Sequence, residues 1–168
     1  MSEADWRGVC IDMKLANGTF WPIPITLSAA PEIADSLAIG EEVALADGET
    51  GELLGTITVD EKYTIDKALE CQHVYRTTDE AHPGVQKVMA QGAINISGPV
   101  TVFSESNYPS DYPDLYVHPA QSRAMFAERG WSRVAAFQTR NPMHRSHEHL
   151  AKIAIEVTDG VFIHQVLG

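Results

Sequence analysis

Between residues 133 and 163 the sequence changes its period twice, and that change limits the possible folds more than any other feature. Residues 133–137 read as a short, buried-looking strand. Residues 142–158 then carry Leu150, Ile153, Ala154 and Val157 at helical spacing, and residues 161–163 return to a short apolar run. Strand, helix and strand within about thirty residues is the βαβ unit of a parallel sheet, because parallel neighbours need a crossover that returns the chain to the same end. Just upstream, residues 119–129 read as a helix with Met125 and Phe126 on its inner face, stopped by Gly130.

The first hundred residues read differently. Short apolar runs broken by turn residues predict a β-rich domain, with strands at 20–27, 42–46, 53–59 and 93–103. Asp47-Gly48 between the second and third supplies a dipeptide suited to the positive φ of a hairpin turn. Pro22 and Pro24, two apart, remove ladder donors from one side of the first strand and predict an edge or a bulged barrel segment. Residues 66–75 lack alternation and predict a short helix, and residues 104–113, without either period, predict a linker. The expected organisation is thus a domain over residues 1–113 and the beginning of a second over 114–168.

Charge narrows the function. The net charge of -11 opposes a nucleic-acid partner, since a phosphate backbone is held by local excess of Lys and Arg. One stretch runs against that field: residues 123–152 hold six basic side chains against two acidic ones. The two cysteines, Cys10 and Cys71, show neither a disulfide framework nor a zinc pattern, which predicts a reducing, cytoplasmic setting. No apolar run is long enough to cross a bilayer, so no membrane partner is expected.

The basic stretch contains Gln138-Thr139-Arg140-Asn141-Pro142-Met143-His144-Arg145-Ser146-His147, where the strand gives way to the helix. Ligands of open α/β sheets bind at the carboxyl ends of strands, and the free N–H groups of a following helix favour anions. Pro142 is expected in the first helical turn, with His144 and His147 projecting from one face of it toward one anion. Arg140 adds a planar fork of donors suited to a tetrahedral oxyanion, and Gln138 and Asn141 add neutral donors. Taken alone, the two histidines also read as caps of a surface helix, and His144, His147, Glu148 and His149 also read as metal ligands, although H-E-x-x-H is absent. Gln138, Arg140 and Asn141 immediately upstream favour the anion.

The string Q-T-R-N-P-M-H-R-S-H-E-H-L resembles the sulfate- and nucleotide-binding signature of the ATP sulfurylase family, and its N-P-x-H-x-x-H core resembles the wider nucleotidyltransferase group. W-P-I-P-I-T-L from Trp21, His82-Pro83-Gly84-Val85 and Arg129-Gly130-Trp131 resemble the same family in the same order, so the resemblance covers nearly the whole chain. It implies a PUA-like β-barrel domain (α+β) followed by the start of a Rossmann-like nucleotidyltransferase domain (α/β). It also implies that sulfate attacks the α-phosphate of ATP, releasing pyrophosphate and forming adenosine 5'-phosphosulfate without a covalent enzyme intermediate. Carried over by motif position, Gln138 and Arg140 would hold sulfate. Thr139, Arg140 and Asn141 would lie at the reacting phosphate, and His144 and His147 would meet the ATP phosphates. All six would thereby contribute to ATP binding.

Magnesium would arrive with ATP, no protein-held metal is implied, and the full-length protein would be a homo-oligomer. The resemblance further implies truncation at both ends, with a downstream glycine-rich element absent and the fragment inactive alone. Residues 163–168 (I-H-Q-V-L-G) depart from the family's I-H-P-L-V-G. Two alternatives stay beside this reading: another H-x-x-H nucleotidyltransferase, and a non-enzymatic PUA-like RNA-binding module.

Overall fold

The computed structural model describes residues 1–166, so Leu167 and Gly168, the end of the divergent I-H-Q-V-L-G segment, lie outside the described residues. The chain forms two compact units, Met1–Ser106 and a second that begins at Asn107.

The first unit opens with a helix that the β-rich expectation did not include, α1 (Glu3–Asp12). Ser2 caps it by accepting from Asp5 N at 3.1 Å, and Met13 ends it in a left-handed conformation at φ 56°. Trp6, Val9 and Cys10, at i, i+3 and i+4, bury one face of the helix. Trp6 meets Tyr63 with ring centroids 6.1 Å apart and donates from Nε1 to Glu70 Oε2 at 2.7 Å.

Six strands follow: β1 (Leu27–Ala29), β2 (Glu42–Ala46), β3 (Leu53–Thr58), β4 (Glu61–Thr64), β5 (Ile94–Ser97) and β6 (Val100–Val102). They form two antiparallel three-stranded sheets, ordered β1-β5-β4 and β2-β3-β6. The predicted strand over 93–103 is therefore two strands in two sheets. The chain bends at Gly98-Pro99 opposite a matching bend at Val59-Asp60, and Asp60 N to Ser97 O (2.8 Å) and Thr58 N to Pro99 O (3.0 Å) carry the pairing around the corner. Only glycine fits at 98, because a Cβ there would strike the Thr58 carbonyl.

The predicted strand over 20–27 is reduced to Leu27–Ala29 plus a single bridge between Phe20 and Lys14, as Pro22 and Pro24 lack the N–H groups a ladder needs. In the β2–β3 hairpin the positive φ falls at Gly51 (72°) and not at Gly48. Asp47 Oδ1 shapes that turn by accepting from Glu49 N, Thr50 N and Thr50 Oγ1.

Helix α2 (Pro31–Ser36) packs on β5, the helix expected at 66–75 is α3 (Lys67–Glu70) continued by a π-helical turn, Cys71–Tyr75, and helix α4 (Pro83–Ala90) packs on that turn. Three apolar clusters form the interior, one of them Cys71, Val85 and Val88. Val59 and Val85 are fully buried, each contributing about 1.5–3 kcal/mol by the usual scale for side chains of this size.

The second unit holds a short helix α5 (Tyr108–Asp111) inside the segment expected as linker, then α6 (Pro119–Glu128), β7 (Val134–Thr139), α7 (Arg145–Val157) and β8 (Gly160–Gln165). β7 and β8 are parallel, so the strand-helix-strand unit is present. Phe126 of α6 stacks on Trp131 at 6.1 Å and meets Phe162 of β8 edge-on at 5.5 Å. Gly160 begins β8 directly beneath the Trp131 indole, where a Cβ would collide with three ring atoms. Asp159 Oδ2 accepts from Ser132 N, Ser132 Oγ and Arg133 N, tying the starts of the two strands together.

Candidate functional site

The pleat of β7 sends alternate side chains to opposite faces. Phe137 faces α7, where its ring lies 5.8 Å from that of His147, and Thr139 follows on the same face, 8% exposed. Gln138 therefore lies on the other face, exposed. Thr139 ends the strand: its Oγ1 accepts from Asn141 N and donates to Asn141 O, each at 3.1 Å, closing a tight turn. Arg140 stands exposed on that turn and has no hydrogen bond or ion pair among the described residues.

Helix α7 begins three residues later than the sequence predicted, at Arg145 and not at Pro142. Helix initiation at Pro142 would make Asn141 the cap, but the Asn141 backbone is already held by Thr139. His144 takes the role instead, extended at φ -103°, ψ 161°, and forms a capping box with His147. His144 Nδ1 accepts from Ser146 N at 3.3 Å and contacts Ser146 Oγ at 3.2 Å. His147 Nδ1 accepts from His144 N at 3.1 Å. The two rings are nearly perpendicular, 83° apart with centroids 6.5 Å from each other.

These bonds decide the tautomer. An Nδ1 that accepts carries no hydrogen, so each ring proton sits on Nε2, and both histidines hold a donor that the cap does not use. Capping and anion binding, which read as alternatives in the sequence, are thus compatible: Nδ1 serves the helix and Nε2–H remains for a ligand. Together with the positive end of the helix dipole, these donors make the corner attractive to negative charge.

Glu148 is committed elsewhere. Its carboxylate binds Lys152 Nζ at 2.6 Å, one helical turn on, and that hydrogen bond and the lysine charge hold its pKa below the ordinary carboxylate value. Among the described residues no group of three or more His, Cys, Asp or Glu side chains could hold a metal ion. The geometry therefore draws His144 with His147, and Thr139 with Asn141, while Gln138 occupies the opposite face.

The parallel register adds a neighbour that spacing within one strand could not reveal. Gln138 pairs with His164 and Thr139 with Gln165, and Val166 N donates to Thr139 O at 2.8 Å, so both strands end together. On the same face lies a cavity of about 630 Å³, bordered by Tyr108, Tyr112, Tyr116, Phe162 and His164.

Comparison with known proteins agrees with this division. A family model described as a PUA-like domain matches residues 1–105, and one described as ATP-sulfurylase matches residues 113–168, which include all six candidate residues. The sulfate adenylyltransferase of Chlorobaculum tepidum is 62% identical over 168 residues, covering 100% of this chain and 42% of its own length. That of Thiobacillus denitrificans is 60% identical, covering 100% of this chain and 41% of its own length. A solved structure described as a hexameric APS kinase from Thiobacillus denitrificans superposes with a TM-score of 0.67 at 29% identity, covering 98% of this chain and 28% of its own. The chain thus spans about two fifths of the length of the curated relatives it matches.

Proposed function

We propose an adenylyl-transfer role for this chain, which belongs to the PUA-like domain family through residues 1–105 and to the ATP-sulfurylase family through residues 113–168. In this reading the whole protein joins sulfate to the α-phosphate of magnesium-bound ATP. A sulfate oxygen forms a bond to the α-phosphorus while the bond from that phosphorus to the bridging oxygen of pyrophosphate breaks, and pyrophosphate leaves with the electron pair.

The physical difficulty is that both reactants are anions. Two unit charges 4 Å apart repel by about 4 kcal/mol at an effective dielectric constant near 20, before any chemistry begins. Arg140, exposed on the turn that ends β7 and without a hydrogen bond or ion pair among the described residues, offsets that repulsion. Gln138 and Arg140 hold sulfate on one side. His144 and His147 donate from Nε2 to the ATP phosphates on the other, so sulfate attacks the α-phosphorus from one side while pyrophosphate departs from the opposite side. Asn141 lies at the reacting phosphate, and Thr139 fixes the turn that presents Arg140 and Asn141. Magnesium enters with the nucleotide as part of the substrate.

The observation that carries this reading is the pair of imidazoles whose caps leave both Nε2–H groups unused, a few residues beyond an arginine that has no hydrogen bond or ion pair among the described residues. Its test is sulfate-dependent pyrophosphate release from ATP by the longer protein carrying this segment. Arg140→Ala lowers that rate by about 10² to 10³, the usual effect of removing one such donor. Near-parental release by Arg140→Ala would remove the arginine from the mechanism. The two free, buried cysteines support a reducing, cytoplasmic setting, and the hexameric description of the similar APS kinase structure supports a homo-oligomer.

A further inference from the structure

The imidazole of His164 is a chemically versatile group at the strand mouth to which the proposed adenylyl transfer gives no work. β7 and β8 pair in parallel with Gln138 opposite His164, and partners across a parallel ladder point to the same face, with their strands about 4.8 Å apart. Both side chains are exposed, within two residues of the carboxyl ends of their strands, where ligands of such sheets bind. His164 has no hydrogen bond or ion pair among the described residues.

Its ring is nevertheless held. It lies 5.9 Å from the Phe162 ring and 13° from parallel with it. Phe162 meets Phe126 edge-on at 5.5 Å, and Phe126 stacks on Trp131. A column of four rings thus leads from the base of this unit to the mouth of the sheet and ends in an imidazole. A column of this kind restricts the rotamers of the terminal ring, so less conformational entropy is lost when it binds a ligand. Strand alternation separates this imidazole from His147, which touches Phe137 on the opposite face. His164 therefore belongs with the Gln138 side of the site and not with the helix α7 side.

We infer that His164 is a further binding residue for the tetrahedral oxyanion held by Gln138, donating to it from the neighbouring strand. The inference rests on the reading of residues 138–147 as an oxyanion site and deepens it: sulfate would be gripped by Gln138 and His164 from two adjacent strands, with Arg140 above them.

The test follows the side-chain nitrogen resonances of Gln138, Arg140 and His164 in the whole 168-residue chain while sodium sulfate is added against sodium chloride of equal ionic strength. Sulfate is expected to move all three together, with one dissociation constant, and chloride to move none. His164→Ala is expected to weaken sulfate binding at Gln138 by about tenfold, the scale of one hydrogen bond to a charged group, and His164→Gln, which keeps a donor, to recover most of that loss. Movement of Gln138 and Arg140 with a silent His164 ring overturns the inference and leaves the oxyanion site standing. Equal movement with chloride overturns the inference as a general salt effect, and no movement at any of the three removes the oxyanion site as well. The ring resonance of the parent chain decides the matter even if a variant does not fold.

Discussion

Replacing His147 with glutamine separates the two tasks that its ring performs. His147 Nδ1 accepts from His144 N at 3.1 Å at the third position of α7, the place where glutamine or glutamate closes a capping box in many helices. A glutamine side chain there can therefore keep the cap, whereas an alanine cannot. Losing a capping interaction of this kind costs about 1 kcal/mol of stability. Losing a donor that acts on developing charge costs about 10² to 10³ in rate, or roughly 2.7–4 kcal/mol of transition-state stabilisation. The two effects are therefore resolvable by size as well as by assay.

The stability half is measured on this chain, by urea unfolding and by exchange of the His144 amide hydrogen. The rate half is measured as sulfate-dependent pyrophosphate release in the longer protein. His147→Ala is expected to lose both. His147→Gln is expected to keep His144 amide protection and unfolding midpoint close to the parent's while turnover falls by about 10² or more, with the loss in kcat and not in KM. Turnover by His147→Gln within a few-fold of the parent, beside a slow His147→Ala, would reduce the imidazole to a helix cap and end the argument built on its Nε2–H.

The other expectations concern stability and the limits of the chain. Gly160→Ala forces a methyl group into the Trp131 ring, and urea unfolding followed by tryptophan fluorescence should show a loss of about 1–3 kcal/mol; no loss would mean that the indole swings aside freely. Burial pushes the Glu70 carboxyl above its ordinary range, with the Trp6 hydrogen bond partly opposing the shift. A raised folded-state pKa in an acid gives stability that is complete below the ordinary carboxylate pKa and declines as pH rises through the folded value. Unfolding measured as pH rises from the ordinary carboxylate pKa should show that decline in the parent and lose it in Glu70→Gln, which keeps an acceptor for Trp6. The Cys10 thiol, pushed up to about 12 by burial and then by the Glu70 charge, should resist alkylation until the chain unfolds. The 168-residue chain alone is expected to release no sulfate-dependent pyrophosphate, because the second unit leaves Leu150, Ile153 and Val157 of α7 at least 45% exposed on one stripe. Turnover by the isolated chain would show that the residues at this strand mouth suffice.

What the sequence discloses, and what it withholds, divide along the range of the interactions concerned. Residues 134–165 are legible because helical and strand periods are local, and the strand-helix-strand pattern allows few pairings. The start of α7 is misplaced because the decision lies in a competition that spacing does not encode. Proline suits a first helical turn, but the Asn141 backbone is already held by the Thr139 hydroxyl, and the helix begins where two imidazoles can cap it. Helix α1 is hard to read because its buried apolar residues, Trp6, Val9 and Cys10, make only a narrow stripe, and Trp6 and Cys10 find their partners, Tyr63 and Ile65, far along the chain. The split of 93–103 likewise depends on a carbonyl at Thr58 that leaves no space for a side chain at Gly98. His164 belongs to the same class: its own segment names no partner for it, and only the register that sets it beside Gln138 gives it one. Chemistry that depends on one stretch of chain can be read from that stretch, whereas chemistry shared between strands requires their register, so the neighbours of a recognised motif across the sheet are where unassigned functional groups should be sought.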